Sequence, residues 1–135
     1  MFNLPSIEEI ESKEDSLADM IRILSHEQRE AYYTRLASEV KDPDTYASLN
    51  YFFILGLHHL YLGKSETFAV ETSALLFSIM LISTDITALG IMGAISLIAI
   101  AGYQMSQLFL SQRMVRKHNY ETSISIYLDI LKSSK

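Results

Sequence analysis

The sequence contains no cysteine and no tryptophan, two prolines, and five glycines in 135 residues. Without cysteine there is no disulfide framework, no thiol nucleophile and no cysteine metal site, and the redox compartment is left open. Basic charge is scarce as well, with 11 Lys and Arg against 16 Asp and Glu, a formal net charge of -5. Neutralising phosphates needs a basic surface, so nucleic acid is not an expected partner. The first 15 residues are acidic and lack the positive and apolar regions of a signal peptide, so none is expected. No internal repeat and no low-complexity segment occurs. Nor does any nucleophile–base pair, phosphate-binding glycine loop or carboxylate dyad. The sequence therefore offers no catalytic residue and no cofactor site, and the expectation is a protein that is not an enzyme.

Charge is also missing locally. Residues 1–44 hold eleven of the acidic residues, whereas three later runs are nearly uncharged, although the mean hydropathy of the whole chain is only +0.16. The run 86–112 has no Asp, Glu, Lys or Arg over 27 residues. As a helix it would be about 40 Å long, more than the roughly 30 Å of a hydrocarbon core. The stretch 67–84 is apolar apart from Glu71. Ser83, Thr84 and Asp85 separate it from the long run and offer that run an N-cap. These features predict a tight helical hairpin, 67–83 and 86–112. The run 45–63 centres on Phe52, Phe53, Ile54 and Leu55 but also carries Asn50, His58, His59 and the tyrosines Tyr46, Tyr51 and Tyr61. It is just long enough to span, and polar enough to be re-entrant or interfacial instead.

The flanks read as amphipathic helices. Ser6 with Glu9, and Ser25 with Gln28, have capping-box spacing. Ile7, Ile10, Leu17, Ile21 and Leu24 form one helical stripe, and Tyr32, Leu36 and Val40 a second that ends at Asp42-Pro43-Asp44. Tyr120, Ile124, Tyr127 and Leu131 mark a C-terminal helix. The expected organisation is all-α: a polar helical region 1–44, a membrane region 45–112 with apolar segments 45–63, 67–83 and 86–112, and a polar C-terminal helix 113–135. Arg35 and Lys41 precede the apolar runs, Arg113, Arg116 and Lys117 come after them, and only Lys64 lies between. The positive-inside rule then places both ends in the cytoplasm and requires an even number of crossings, with 67–83 and 86–112 as the crossing pair.

Residues 56–64 read Gly-Leu-His-His-Leu-Tyr-Leu-Gly-Lys. Gly56, His58, Tyr61, Leu62, Gly63 and Lys64 resemble the turn of the TM-two domain family, small membrane proteins in which an apolar helix ends in a glycine before a His-Arg-Phe-Tyr-Leu-Gly-Lys-like turn. Arg113, Arg116 and Asn119 resemble the family's basic-then-Asn exit from the membrane. His59 stands where the family has arginine and Leu60 where it has phenylalanine, and the stretch from Gly63 to Asn119 is longer than a two-helix member needs. The resemblance implies a multi-pass protein of the cell (inner) membrane and carries no established enzymatic activity with it.

Several residues invite a site. His58 and His59 are adjacent, so on a regular helix they point about 100° apart and would not share a metal without a third ligand such as Glu71, Asp85 or His118. The expectation is no metal, but a polar turn bracketed by Gly56 and Gly63, with an imidazole bonded to a carbonyl or headgroup and Lys64 as an interface anchor. Glu71 and Asp85 are expected to cap or snorkel at helix ends. Thr72, Ser73, Ser78, Ser96, Gln104 and Gln107 form no clear polar stripe. Gly90, Ala94 and Ala101 make a small-residue face suited to close helix packing, within the chain or against another protomer. The functional expectation is a membrane accessory or assembly subunit that contacts the lipid bilayer and a protein partner or further copies of itself. The alternatives are a small channel- or holin-like oligomer and a soluble all-helical protein with a buried hairpin.

Overall fold

The computed structural model describes residues 4–51 and 56–133; Phe52, Phe53, Ile54 and Leu55, at the centre of the first apolar run, lie outside the described residues. All regular structure among the described residues is helical: α1 (Ile7–Arg22), α2 (His26–Glu39), α3 (Pro43–Tyr51), α4 (Leu57–Tyr61), α5 (Ser65–Ile82), α6 (Thr87–Phe109) and α7 (Ser111–Ser133). The chain divides into two compact units, one of residues 1–42 with 112–135 and one of residues 43–111. The two polar ends, expected as separate regions, thus form one unit.

In that first unit the helix starts obey the capping chemistry. Ser6 Oγ accepts the Glu9 N–H, and Ser25 and Gln28 form a reciprocal box, with Gln28 N–H on Ser25 Oγ at 3.2 Å and Ser25 N–H on Gln28 Oε1 at 2.9 Å. Each satisfies backbone donors that a first helical turn leaves unpaired. The core gathers Leu17, Ile21, Leu24 and Tyr32 with Ile126 and Ile130 of α7. Tyr120, Ile124 and Tyr127 pack around it only partly buried, while Ile7, Val40 and Leu131 are exposed. The α7 stripe is therefore rotated from the expected one, since Ile126 and Ile130, not Leu131, reach the centre. Both choices have helical spacing, and only the packing partner selects between them.

Three polar contacts tie α7 to the start of the chain and to the end of α2. Arg116 lays its guanidinium on Glu14, with Nε 3.1 Å from both carboxylate oxygens, and reaches Glu11 at 2.9 Å. Arg113 donates to the carbonyls of Leu4 and Pro5. Asn119 pairs with the backbone of Lys41 in both directions, accepting its N–H and donating to its C=O, each at 2.9 Å. This last pair holds residue 41, where the chain leaves the unit, beside residue 119, shortly after it returns.

The second unit is built on the α5–α6 hairpin. The covered positions include 67, 71, 74, 78 and 81 of α5 and 93, 97, 100, 104 and 107 of α6, which alternate by four and three. They form the seam of a coiled-coil-like pair. The seam is small and polar where the helices come closest. A Cβ built on Gly93 would lie 2.6 Å from the Ser78 carbonyl oxygen, so the backbones approach there as only glycine permits. The Ser78 and Ser96 hydroxyls sit 2.7 Å apart beside it, and Ser78 also donates to Ala74 C=O. Gly90 takes a lesser part, its built Cβ 4.0 Å from Ile82 O, and Ala94 and Ala101 are exposed. The small-residue face expected at Gly90, Ala94 and Ala101 is thus displaced: within the chain the contact runs through Gly93. Ser83 and Thr84 donate to Ile79 and Leu81 carbonyls, closing α5, whereas α6 begins at Ile86 with no side-chain cap and an exposed Asp85. The polar break therefore ends one helix without capping the next.

The outward faces are apolar. Val70, Leu76, Phe77, Ile79 and Met80 on α5, and Ile91, Met92, Ile95, Ile98 and Phe109 on α6, are 45–81% exposed. Both helices are long and apolar enough to cross a membrane, and only 6% and 11% of their most apolar windows are buried. A soluble core helix with that composition would be mostly covered, and within this chain these two are not.

Candidate functional site: a buried polar cluster at the open end of the hairpin

The run 45–63 is not one continuous helix. Gly56 has φ +56°, in the left-handed region, and α3 and α4 lie on either side of it. Among the described residues the two helices have nine and five residues, about 14 and 8 Å, less than a bilayer's hydrocarbon core. Gly63, at φ +71°, then turns the chain into α5, where glycine alone avoids the cost of a left-handed backbone. Tyr46 and Asn50, one turn apart on α3, meet Gln107 and Gln104, nearly one turn apart on α6, and α4 bridges to α5. These contacts involve the first turns of α5 and the last turns of α6, the end of the hairpin away from the 83–86 turn.

The side chains drawn together there are mostly polar and buried. Tyr46, Asn50, His58, His59, Gln104 and Gln107 are each at most 2% exposed. Their donors and acceptors fit one pattern. Gln107 Oε1 accepts from Tyr46 Oη at 3.3 Å and from His58 Nε2 at 3.1 Å. Gln107 Nε2 donates to Glu71 Oε1 at 3.4 Å, and His59 Nε2 donates to the same oxygen at 2.7 Å. Asn50 Nδ2 donates to the Gln104 backbone carbonyl at 3.2 Å. Each bond satisfies a polar group that would otherwise be costly to bury. Burial, reinforced by the neighbouring His59, pushes His58 down to about 4, so its ring is neutral near pH 7. Burial above all, then the nearby Glu71, raises the Tyr46 phenol, which stays a protonated donor.

The two imidazoles do not diverge. Their ring centroids are 4.1 Å apart, and His58 stacks edge-on with Tyr46 at 5.3 Å. One nitrogen of each ring and one oxygen of Glu71 lie within 4.8 Å of one another. The expected 100° separation fails as a guide because side-chain torsions of neighbouring residues on a one-turn helix can swing both rings toward the same neighbours. His58 meets a side-chain carbonyl, that of Gln107, while His59 pairs with Glu71, whose side chain is 12% exposed. Gly56 borders the carboxylate, since a Cβ there would come 3.1 Å from Glu71 Oε2. Lys64 and Asp85 are exposed, and Asp85 is not among the grouped ligand atoms.

Gln104, Gln107, Ser78 and Ser96 were legible as polar residues in apolar helices but not as an ordered set. The signal that could have found Gln104 and Gln107 is the four-and-three spacing they share with Gly93. Comparison of the chain with family models, curated proteins and solved structures returned no match.

Proposed function

We propose that the chain is a two-span integral protein of the cell (inner) membrane, of TM-two type, that acts without catalysis as an assembly or accessory subunit. The observation that carries this reading is the inverted distribution of polarity in the α5–α6 hairpin, with large aliphatic side chains outward along both helices and the polar groups turned inward. Lipid tails solvate the first kind of surface, and only protein partners satisfy the second.

The Asn119–Lys41 pair supports an even number of crossings. It holds the chain at residue 41 beside the chain at residue 119, so the segment between them leaves and returns at one level. Two crossings by α5 and α6 meet that condition, and short α3 and α4 sit at the open end of the hairpin. The positive residues Arg35, Lys41, Arg113, Arg116 and Lys117 then share the cytoplasmic side. Assembly is favoured over a pore because the side chains of Ser96 and Gln107, which a channel would turn to water, serve contacts inside one chain, and Gln104 is buried. The surface left for a partner on α6 is one of aliphatic side chains with Ala94, Ala101 and Gly102 among them.

Carbonate extraction, cysteine labelling and planar-bilayer recording test the reading together. The chain has no native cysteine, so single cysteines at each end report cleanly. Retention in carbonate-washed membranes, equal accessibility of both termini and silent bilayers are expected. A folded soluble monomer would overturn membrane residence, opposite accessibility would overturn the even topology, and reproducible currents would overturn the assembly role.

A further inference from the structure

We propose that His58, His59 and Glu71 form a binding site for a divalent metal ion of the zinc class, which locks α4 to α5. The reading goes beyond the membrane role above and does not depend on it.

Three observations converge. The first is the ligand set: two buried imidazoles and a carboxylate 12% exposed, with one donor atom from each within 4.8 Å of the others. Two nitrogens and one anionic oxygen suit a borderline first-row ion such as Zn²⁺ or Co²⁺, and three protein ligands leave a position for water or a neighbouring oxygen. Hard ions such as Mg²⁺ and Ca²⁺ want an all-oxygen shell, so the imidazoles select against them.

The second is an excess of acceptors. Glu71 Oε2 and His59 Nδ1 are buried without a hydrogen-bond partner, as are Asn50 Oδ1 and Gln104 Oε1 nearby in the same unit. His59 Nε2 bonds to Glu71 Oε1, and its other ring nitrogen, Nδ1, is the one without a partner. Buried groups of this kind cost free energy unless paired, and of the unpaired buried atoms in this unit only the Thr72 hydroxyl can donate, so the four acceptors are a surplus that a cation relieves.

The third is charge. The only Lys or Arg in residues 43–111 is Lys64, which is exposed. Within this unit, then, no described Lys or Arg pairs with the Glu71 carboxylate. Gly56 lies against Glu71 Oε2, since a Cβ there would come 3.1 Å from that oxygen. Metal-binding histidines are ordinarily oriented by a second hydrogen bond, and the Gln107 amide, fixed by Tyr46, supplies it to His58.

The test uses the full chain in detergent micelles with any affinity tag removed. The chain has four histidines, His26, His58, His59 and His118. In the His26→Ala/His118→Ala double variant the only imidazoles left are those of the proposed site. We expect this variant to take up one equivalent of Zn²⁺ in competition with a chromogenic chelator, and Co²⁺ in its place to show visible d–d bands and imidazole ligation by X-ray absorption. Adding Glu71→Gln or His59→Gln should weaken Zn²⁺ by more than about 100-fold, beyond the usual effect of an outer partner. Circular dichroism of the metal-free proteins separates lost binding from lost folding. If a ligand variant does not fold, the double variant's stoichiometry and ligation still decide. No saturable Zn²⁺ uptake by the double variant, Co²⁺ held without imidazole, or uptake unchanged by Glu71→Gln in a folded protein would each overturn the site.

Discussion

Replacing Gly93 with alanine should open the α5–α6 hairpin, and the size of the effect can be worked from the seam. The added methyl would lie 2.6 Å from the Ser78 carbonyl oxygen, 2.9 Å from Ile82 Cγ1 and 3.0 Å from Leu81 Cβ. Two of these atoms belong to, or are fixed to, the α5 backbone and cannot swing aside. Restoring ordinary contact at 3.4 Å to the carbonyl requires the helices to separate locally by about 0.8 Å. Separation would stretch the Ser78–Ser96 pair, now at 2.7 Å, and loosen the packing around it. Overpacking of this kind costs about 1–3 kcal/mol, against about 1 kcal/mol gained from alanine's better helix propensity. The expected net is a loss of up to about 2 kcal/mol. Gly90→Ala is the internal control: its Cβ meets only Ile82 O at 4.0 Å, so the propensity gain should remain and stability should hold or rise. Chemical denaturation in detergent, followed by circular dichroism or by crosslinking of cysteine pairs placed across the seam, reads the difference. A Gly93→Ala protein as stable as wild type, or a Gly90→Ala protein less stable than Gly93→Ala, would refute the close approach.

Asn119→Ala removes both bonds to the Lys41 backbone and leaves a partly buried N–H and C=O without these partners, which should lower stability by about 1–3 kcal/mol and speed hydrogen exchange at the Lys41 amide. Gly63→Val places a β-branched residue at φ +71°, with no side chain within 4 Å to clash, so its cost is the backbone's alone, at least about 1–2 kcal/mol in thermal unfolding. Ser25→Ala removes one half of the capping box and should cost about 1 kcal/mol, whereas Ser25→Asp should hold most of the stability.

The helical class, the hairpin and most of its limits were legible in the sequence. A 27-residue run without charge has few other readings, and serine caps three residues before a glutamate or glutamine declare helix starts. The left-handed glycines at 56 and 63 were legible too, because chain reversal within nine residues needs them. These features are local: they depend on composition and on spacing within one turn or one span. Undecided in the sequence were the choices among residues of equal local merit. Gly90, Gly93 and Gly102 are alike as letters, and only the path of α5 makes Gly93 the contact. Leu131 and Ile130 are both apolar, and only the placement of Leu17, Ile21 and Tyr32 draws Ile130 inward. The polar cluster is the fullest case. His58, His59, Glu71 and Gln107 span 49 residues, and no periodicity links them. They meet because α3 and α4 fold against the open end of the α5–α6 pair, where the burial of one polar group requires the next as its partner. Local pattern thus determined which segments are helical and which are apolar, while side-chain complementarity between distant segments, a property only of the folded chain, decided which polar residues share a site.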